Sequence, residues 1–466
     1  MKKITQNSKT TPARMSQLNS KCAGIDVGAT ELFVCIAKKS SEHEIRSFFT
    51  FTADIKLMIE WLKENKVESV SMESTGVYWI PAYELLEEAG FEVLLVNARL
   101  FKGVPGRKTD VQDCQWIQQL HSYGLLRASF RPSNEIVALR SFVRQRSRLF
   151  ESAGTQVQLM QKSMTQMNIQ LSHVISDITG VTGTNIIRSI LKGERNPKTL
   201  AQLCVGGCRK KKDLIEKALE GNYREEHVFS LEQAFEAYEF FHTQILRCEL
   251  AIQKVVDSLQ PKDPIVAPYF SASAENSEDK PIASRKRAKK TATNKSPYCF
   301  NAADAIKKVT GADLTTIPGI DASTAMKILS EIGTDMSRWH SSKAFVSWLG
   351  LCPGNKISGG KILCSKTKPS DNKVAQSLRM AASTLYRATG YLGAFFRKMR
   401  ARLGGPKAIT AVAHKLARML YRMLLNGENY CELGENYHEQ RHQEKIVANL
   451  KKRAKEMGFT LVPAAT

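Results

Sequence analysis

Four carboxylates stand where alternating strands and helices would gather them. Asp26 lies inside the strand-like run "CAGIDV", and Glu73 closes "VESVSME". Asp110 and Asp113 open the helical pattern "DVQDCQWIQQLHSYG", three residues apart on one helical face. Like charges held close cannot all stay ionised without a cation, and an all-oxygen donor set selects a hard one such as Mg²⁺. A pair of such ions would clamp the attacking and leaving oxygens of a phosphodiester. Each residue alone is equally well a helix cap or a solvated loop charge. The four together, each on the element that would carry it, favour a metal site.

A second constellation is "SWLGLCPGNKISGGKILCSKTKPSDNKVAQSLRMAA". Ser358 precedes Gly359-Gly360 in a Lys-rich loop, which offers an exposed hydroxyl, close backbone approach and positive charge for a pentacovalent phosphate. Taken alone, that loop reads more simply as an ordinary polar turn.

The elements that would position these residues follow from periodicity. Residues 22–52 read as three short strands, and helices and strands then alternate to give the order β-β-β-α-β-α-β-α. That is the order of the ribonuclease H (RuvC-like) fold, a layered α/β architecture expected over residues 22–130. From 131 to 260 the spacing becomes strictly three and four. One run is Ile136, Leu139, Val143, Arg146, Phe150, Ala153, Val157, Met160, Met164, Met167 and Leu171. The other is Leu231, Phe235, Tyr238, His242, Ile245, Glu249, Ile252, Val256 and Leu259. Such runs predict a coiled coil or a long antiparallel helical hairpin, with the Met stripe as packing and His242 and Glu249 either register-setting or partly exposed rather than ligands. Residues 261–298 read as a basic disordered linker, with seven Lys/Arg and no acid across 280–296.

A mostly helical domain is expected over 299–430, followed by a tail at 431–466, and a basic, disordered N-terminus is expected over 1–21. "LTTIPGIDASTAMKILSEIG" looks like half of a helix-hairpin-helix, which is either a phosphate-facing helix N-terminus or a plain helix start. Residues 372–425 carry eleven Lys/Arg and no acid, interleaved with Tyr386, Tyr391, Phe395 and Phe396. This stretch is the strongest local nucleic-acid signal.

Composition agrees. The 466 residues hold 68 Lys+Arg against 45 Asp+Glu, a formal net charge of +23 that points to a polyanionic partner. No apolar leader and no spanning stretch of about 18 apolar residues is present. The ten cysteines suit reduced cytosolic thiols, and Cys204 with Cys208 is a weak zinc signal without a second pair.

Taken together, Asp26, Glu73, Asp110 and Asp113 resemble the RuvC-like DEDD domain of the insertion-sequence-110 class of transposases. "IPGI", "WLGLCPG", "SGG" and "LRMAA" resemble the second, serine-bearing domain of that class, in the same order. The resemblance runs from about residue 22 to 425. It implies a site-specific recombinase that excises and inserts its own mobile element, with the carboxylates binding Mg²⁺. It also implies that a serine, matched here by Ser358, attacks DNA to form a covalent phosphoserine. Dimers pairing into a tetramer, composite sites shared between subunits, a structured noncoding guide RNA that base-pairs with donor and target DNA, and a bacterial cytoplasmic, nucleoid-associated location are further implications.

The loop after Gly360 departs from the family's Gly-x-x-Ser-Lys-x-Gly-Asn pattern. Ser365-Lys366 is kept, but Pro369-Ser370-Asp371 replaces the glycine turn. Besides a nucleic-acid-binding scaffold with degenerate sites, which the intact Asp26, Glu73, Asp110 and Asp113 argue against, two alternatives compete. One is a RuvC-type two-metal nuclease with no covalent step. The other is an actin-like sugar kinase, suggested by "GIDVGAT" but lacking the downstream motifs it needs.

Overall fold

The computed structural model describes residues 17–39, 42–74, 76–97, 109–261, 298–427, 430 and 437–460. All but the first and last residues of the expected linker, and most of the expected N-terminal segment, lie outside them. The chain divides into two compact units, one ending at Arg131 and the other beginning at Pro132.

In the first unit the order is β1 (Cys22–Val27), β2 (Glu31–Lys39), β3 (Glu42–Phe49), α1 (Thr52–Glu64), β4 (Ser69–Glu73), α2 (Trp79–Glu88), β5 (Glu92–Val96) and α3 (Asp110–Ser122). The five strands form one mixed sheet in the order β3-β2-β1-β4-β5, a meander extended by two parallel strands. β3 begins three residues earlier than "IRSFFTF" suggests, because Glu42 and His43 still pair with β2. Its charged, half-exposed run hides the strand from a reading by hydrophobicity.

Period-two alternation divides the two faces of the sheet. Ala23, Ile25, Val27, Val34, Val70 and Met72 bury one face against Ile55, Met58, Leu62 and Leu86 of α1 and α2. Each such large side chain stabilises the unit by about 1.5–3 kcal/mol. The other face carries Gly24, Asp26, Ser69, Ser71 and Glu73, which are small or polar, and it receives α3.

The second unit begins with α4 (Asn134–Gln166), then four short helices, α5 (Leu171–Val174), α6 (Val181–Leu191), α7 (Pro197–Gln202) and α8 (Lys212–Ala218). The long helix α9 (Glu225–Ser258) then returns along α4. Arg146 meets Glu249, Phe150 meets His242, and Met160 and Met164 share a cluster with Leu231 and Phe235, so the two helices are antiparallel. The three-four pattern continues in sequence to Leu171, but α4 stops at Gln166. Asn168 takes a left-handed φ of 59°, and α5 starts a new direction.

Beyond residue 298 come α10 (Ala302–Thr310), α11 (Ala322–Ile332), α12 (Ser342–Trp348), a ribbon of β6 (Lys356–Ser358) and β7 (Lys361–Cys364), then α13 (Lys373–Thr384), α14 (Tyr391–Leu403) and α15 (Gly405–Asn426). A further helix, α16 (Tyr437–Glu456), occupies the segment expected only as a tail. Trp339, Phe345, Trp348 and Tyr421 form an aromatic core, and the Tyr421 hydroxyl donates to the Trp339 carbonyl at 2.6 Å. No helix among the described residues is long and apolar enough to cross a membrane.

Candidate functional site

Glycine sets the depth at which α3 can lie on the sheet. A Cβ on Gly24 would fall 2.3 Å from the Gln118 amide nitrogen and 2.5 Å from the Cys114 carbonyl. Only glycine lets the helix backbone approach this closely. Further along, the Cys22 thiol faces the Gln118 carbonyl, and Ser69 Oγ lies 2.9 Å from His121 Nε2. α3 therefore runs antiparallel to β1 and β4, with its first turn over their C-terminal ends.

Asp26 is two residues beyond Gly24 and so shares the face covered by α3. Parallel pairing aligns Ile25 with Met72, and the next step of the same register sets Asp26 beside Glu73. Neighbouring strands lie about 4.8 Å apart. Glu73 is 5% exposed and Asp26 is half-buried. Asp113 is half-buried and Asp110 exposed in the first turn of α3, where the N–H groups of the helix end favour negative charge. Thr109 caps that end, its hydroxyl accepting from the Gln112 amide at 3.3 Å.

The Cys114 thiol reports how close α3 comes to the sheet. Its pKa is raised, first by its hydrogen bond with Cys35, then by burial and by the Cys35 charge, with the Asp26 charge adding to these. Burial also lowers the pKa of His121. Asp26, Glu73 and Asp113 each hold an interaction partner. Among the described residues, however, no three of His, Cys, Asp or Glu are gathered closely enough to hold a metal ion. The donors are of the right chemistry for a hard cation and lie at one end of one sheet, but they are not drawn into a coordination sphere. Cys204 is buried, Cys208 is half-buried, and neither belongs to such a cluster.

Ser358 is held differently. Gly359 and Gly360 have φ of 54° and 78°, the two left-handed residues of a two-residue hairpin turn, and Ser358 pairs directly with Lys361. Every residue from Asn355 to Lys361 is exposed, and a Cβ on either glycine would meet open space. The register shifts between Lys356 and Ile357, so that Leu363 is the extra residue of a bulge. A polar turn at Ser358-Gly359-Gly360 is what the sequence predicts, and a turn is found. The alternation Lys-Ile-Ser-Gly-Gly-Lys-Ile is the hairpin signal around it.

The basic stretch keeps its charge outside. Lys398, Arg400, Arg402, Lys407, Arg418 and Arg422 are exposed on α14 and α15. Its aromatics are not a stacking surface, because Tyr391 and Phe396 are each 3% exposed. Tyr386 is open, but Arg400 covers its ring at 4.3 Å. The start of α11 is capped by its own Asp321, whose carboxylate accepts from the Thr324 amide at 2.8 Å. A helix end holding a carboxylate does not invite a phosphate, so the plain helix start is favoured there.

Two further networks hold the helices of the second unit in place, and the first joins two residues of the three-four seams. Arg146 and Glu249, each 4% exposed, pair at 2.6 Å. Glu249 also accepts from the Cys299 amide at 2.7 Å, while Arg146 stacks at 3.9 Å from the Tyr298 ring. Arg144 clamps Glu331 with two bonds of 2.8 and 2.9 Å, and Arg140 donates to the Glu331 carbonyl at 2.6 Å, which fixes α4 to α11. Arg146 on an otherwise apolar seam is the sequence signal of the first network, and the second leaves none.

A five-stranded mixed sheet of this order, with carboxylates at the ends of its first and fourth strands, is a ribonuclease H-like arrangement. Residues 23–169 match a family model of the DEDD type described as "Transposase", and residues 311–397 match the model described as "Transposase IS116/IS110/IS902 family". The chain belongs to the IS110 family of transposases. It is also 27% identical over 127 residues to a protein of Sinorhizobium fredii named as a transposase, y4pF/y4sB. That match covers 25% of this chain and 32% of the relative, so the chain spans about a third of that relative's length.

Proposed function

We propose that the protein is the DNA transposase of an insertion sequence, cleaving the element's ends and rejoining them to new DNA. Asp26, Glu73, Asp110 and Asp113 hold Mg²⁺ in this reading, and Ser358 is the nucleophile. When bound, the cation stabilises charge on the phosphate oxygens. The residues themselves divide the remaining work. Glu73 and Asp26 offer fixed oxygen donors, and the first turn of α3 brings two more on a helix end that tolerates them. The Ser358 hydroxyl loses its proton, its oxygen bonds to phosphorus, and the departing DNA oxygen takes up a proton. Lys361, directly across the ribbon, supplies positive charge to the phosphate. Rejoining reverses the step, with a DNA hydroxyl displacing the serine.

The protein acts as a homo-oligomer on donor and target DNA, with a structured noncoding RNA reading sequence, and the α4–α9 hairpin serves as a coiled-coil spacer. The surplus of +23 charges suits such partners. The single observation that carries the reading is the shared face of Asp26 and Glu73 under the first turn of α3.

The test is strand cleavage of a supercoiled plasmid carrying the element with its flanking noncoding segments. Glu73→Ala is expected to abolish cleavage. Ser358→Ala is expected to abolish both cleavage and any covalent protein–DNA adduct. Cleavage by Ser358→Ala at the wild-type rate would point instead to a two-metal nuclease without a covalent step. Full activity in Glu73→Ala would remove the carboxylates from the reaction.

A further inference from the structure

The ribbon that carries Ser358 also exposes two large apolar side chains. Ile357 is 62% exposed and Leu363 is 70% exposed, on strands of three and four residues. Neighbouring strand residues point to opposite faces, so Ile357 lies on the face away from Ser358 and Lys361. Lys356, Lys361, Lys366 and Lys368 are all exposed around this pair, and the sequence holds no Asp or Glu between Asp335 and Asp371.

These surroundings decide what the pair can meet. A second copy docking through the same patch would bring four lysines against four lysines, an unfavourable pairing. A nucleic-acid duplex offers what the patch lacks, phosphates for the lysines and an apolar base stack behind them. A two-stranded ribbon fits a duplex groove, and Ile or Leu side chains inserted between base steps unstack and kink the DNA.

We infer that Ile357 and Leu363 are an apolar wedge that enters duplex DNA beside the phosphate attacked by Ser358 and bends it there. This rests on the proposed reading of Ser358 and DNA. It makes the pair positioning residues: Ser358 and Lys361 face the backbone while Ile357 presses on the bases. Opening the stack turns the phosphate toward the hydroxyl, and the bulge breaks the strict alternation at Leu363, which stands opposite the step from Lys356 to Ile357.

The experiment uses the full chain and a mixed-sequence duplex of about 20 base pairs, short enough for energy transfer between dyes at its ends to report a bend. Wild-type protein at saturation is expected to raise the transfer efficiency. The double variant Ile357→Ser, Leu363→Ser is expected to bind within about threefold, with the same salt dependence, and to leave the DNA straight. The variant Lys361→Gln, Lys366→Gln is expected to lower the slope of log affinity on log salt by about two and, once saturated, to keep the bend. All four side chains are exposed, so circular dichroism melts should match the wild type. Bending by the Ile/Leu variant equal to wild type overturns the inference, and so does saturation by wild type without a bend. A fall in oligomer mass for that variant in light scattering, with bending kept, also overturns it and assigns the pair to contact between copies. Wild-type protein that fails to bind the duplex at low salt would instead sink the proposed function itself.

Discussion

The two candidate chemical groups are mounted in opposite ways. Asp26 and Glu73 stand on the central strands β1 and β4, beneath a helix that only Gly24 allows so close, and Glu73 is 5% exposed. Ser358 ends a three-residue strand that is exposed throughout and turns on two left-handed glycines. A group that must hold a cation gains from rigid elements, since coordination tolerates little error in position. A nucleophile that must reach a phosphate inside a large substrate gains from projection into solvent. The first mounting makes site and fold inseparable. The second leaves the nucleophile free to be changed without disturbing the core.

That contrast can be attacked from either side, and the largest effects should come from the carboxylates. Asp26→Ala or Glu73→Ala should lower strand cleavage by at least about a thousandfold, the scale of losing several kcal/mol of charge stabilisation, with DNA affinity little changed in a gel-shift titration. Added Mg²⁺ should raise the melting temperature of the wild type but not of Glu73→Gln, which reads binding apart from activity. An equal shift in both proteins would place the cation elsewhere.

Gly24→Ala should cost the first unit about 3 kcal/mol in chemical denaturation, because the new methyl meets helix backbone rather than a movable side chain. Gly359→Ala, on the ribbon, should cost the protein only about 1–2 kcal/mol while still slowing cleavage, since the turn is strained but the new methyl meets open space. If the two substitutions destabilised the protein equally, the distinction between the two mountings would fail.

Arg146→Met belongs to neither site and gauges the second unit. It leaves Glu249 buried beside the Cys299 amide without its cation, and should destabilise by about 3–5 kcal/mol in urea melts. A smaller effect is expected from pH. Burial holds the folded His121 pKa below its ordinary 6.5, so the unfolded chain binds the extra proton first. Stability should be flat above pH 6.5 and fall as pH drops below it toward the lowered value. His121→Asn should remove part of that fall in a melting series.

Much of this was legible in the sequence where side-chain type and backbone role coincide. The alternation in "CAGIDV" and "SVSME" gave both the strands and the face of Asp26 and Glu73, and "DVQDCQW" gave the start of α3. The early start of β3 was hidden because Glu42, His43 and Glu44 are polar, and their ladder pairing with β2 is made by the backbone. The end of α4 was hidden because apolar residues keep their spacing through Met167 and Leu171 after the backbone has turned. The aromatics of the basic stretch misled for a related reason. Tyr391 and Phe396 hold helices together, and their position among arginines says nothing of which side they face. Long-range pairs such as Arg144–Glu331 depend on a fold that brings α4 to α11, so no local pattern announces them.

The most direct measurement concerns the bond that Ser358 is proposed to make. Protein quenched during cleavage of the element-bearing plasmid, then digested with nuclease and trypsin, should yield the peptide Ile357–Lys361 carrying a nucleotide phosphate on Ser358. Mass spectrometry would place the modification by fragmentation. The expected result is that adduct in the wild type and its absence in Ser358→Ala. DNA cut to completion with only the unmodified peptide recovered at every quench time, or a nucleotide on any other residue, would contradict the account.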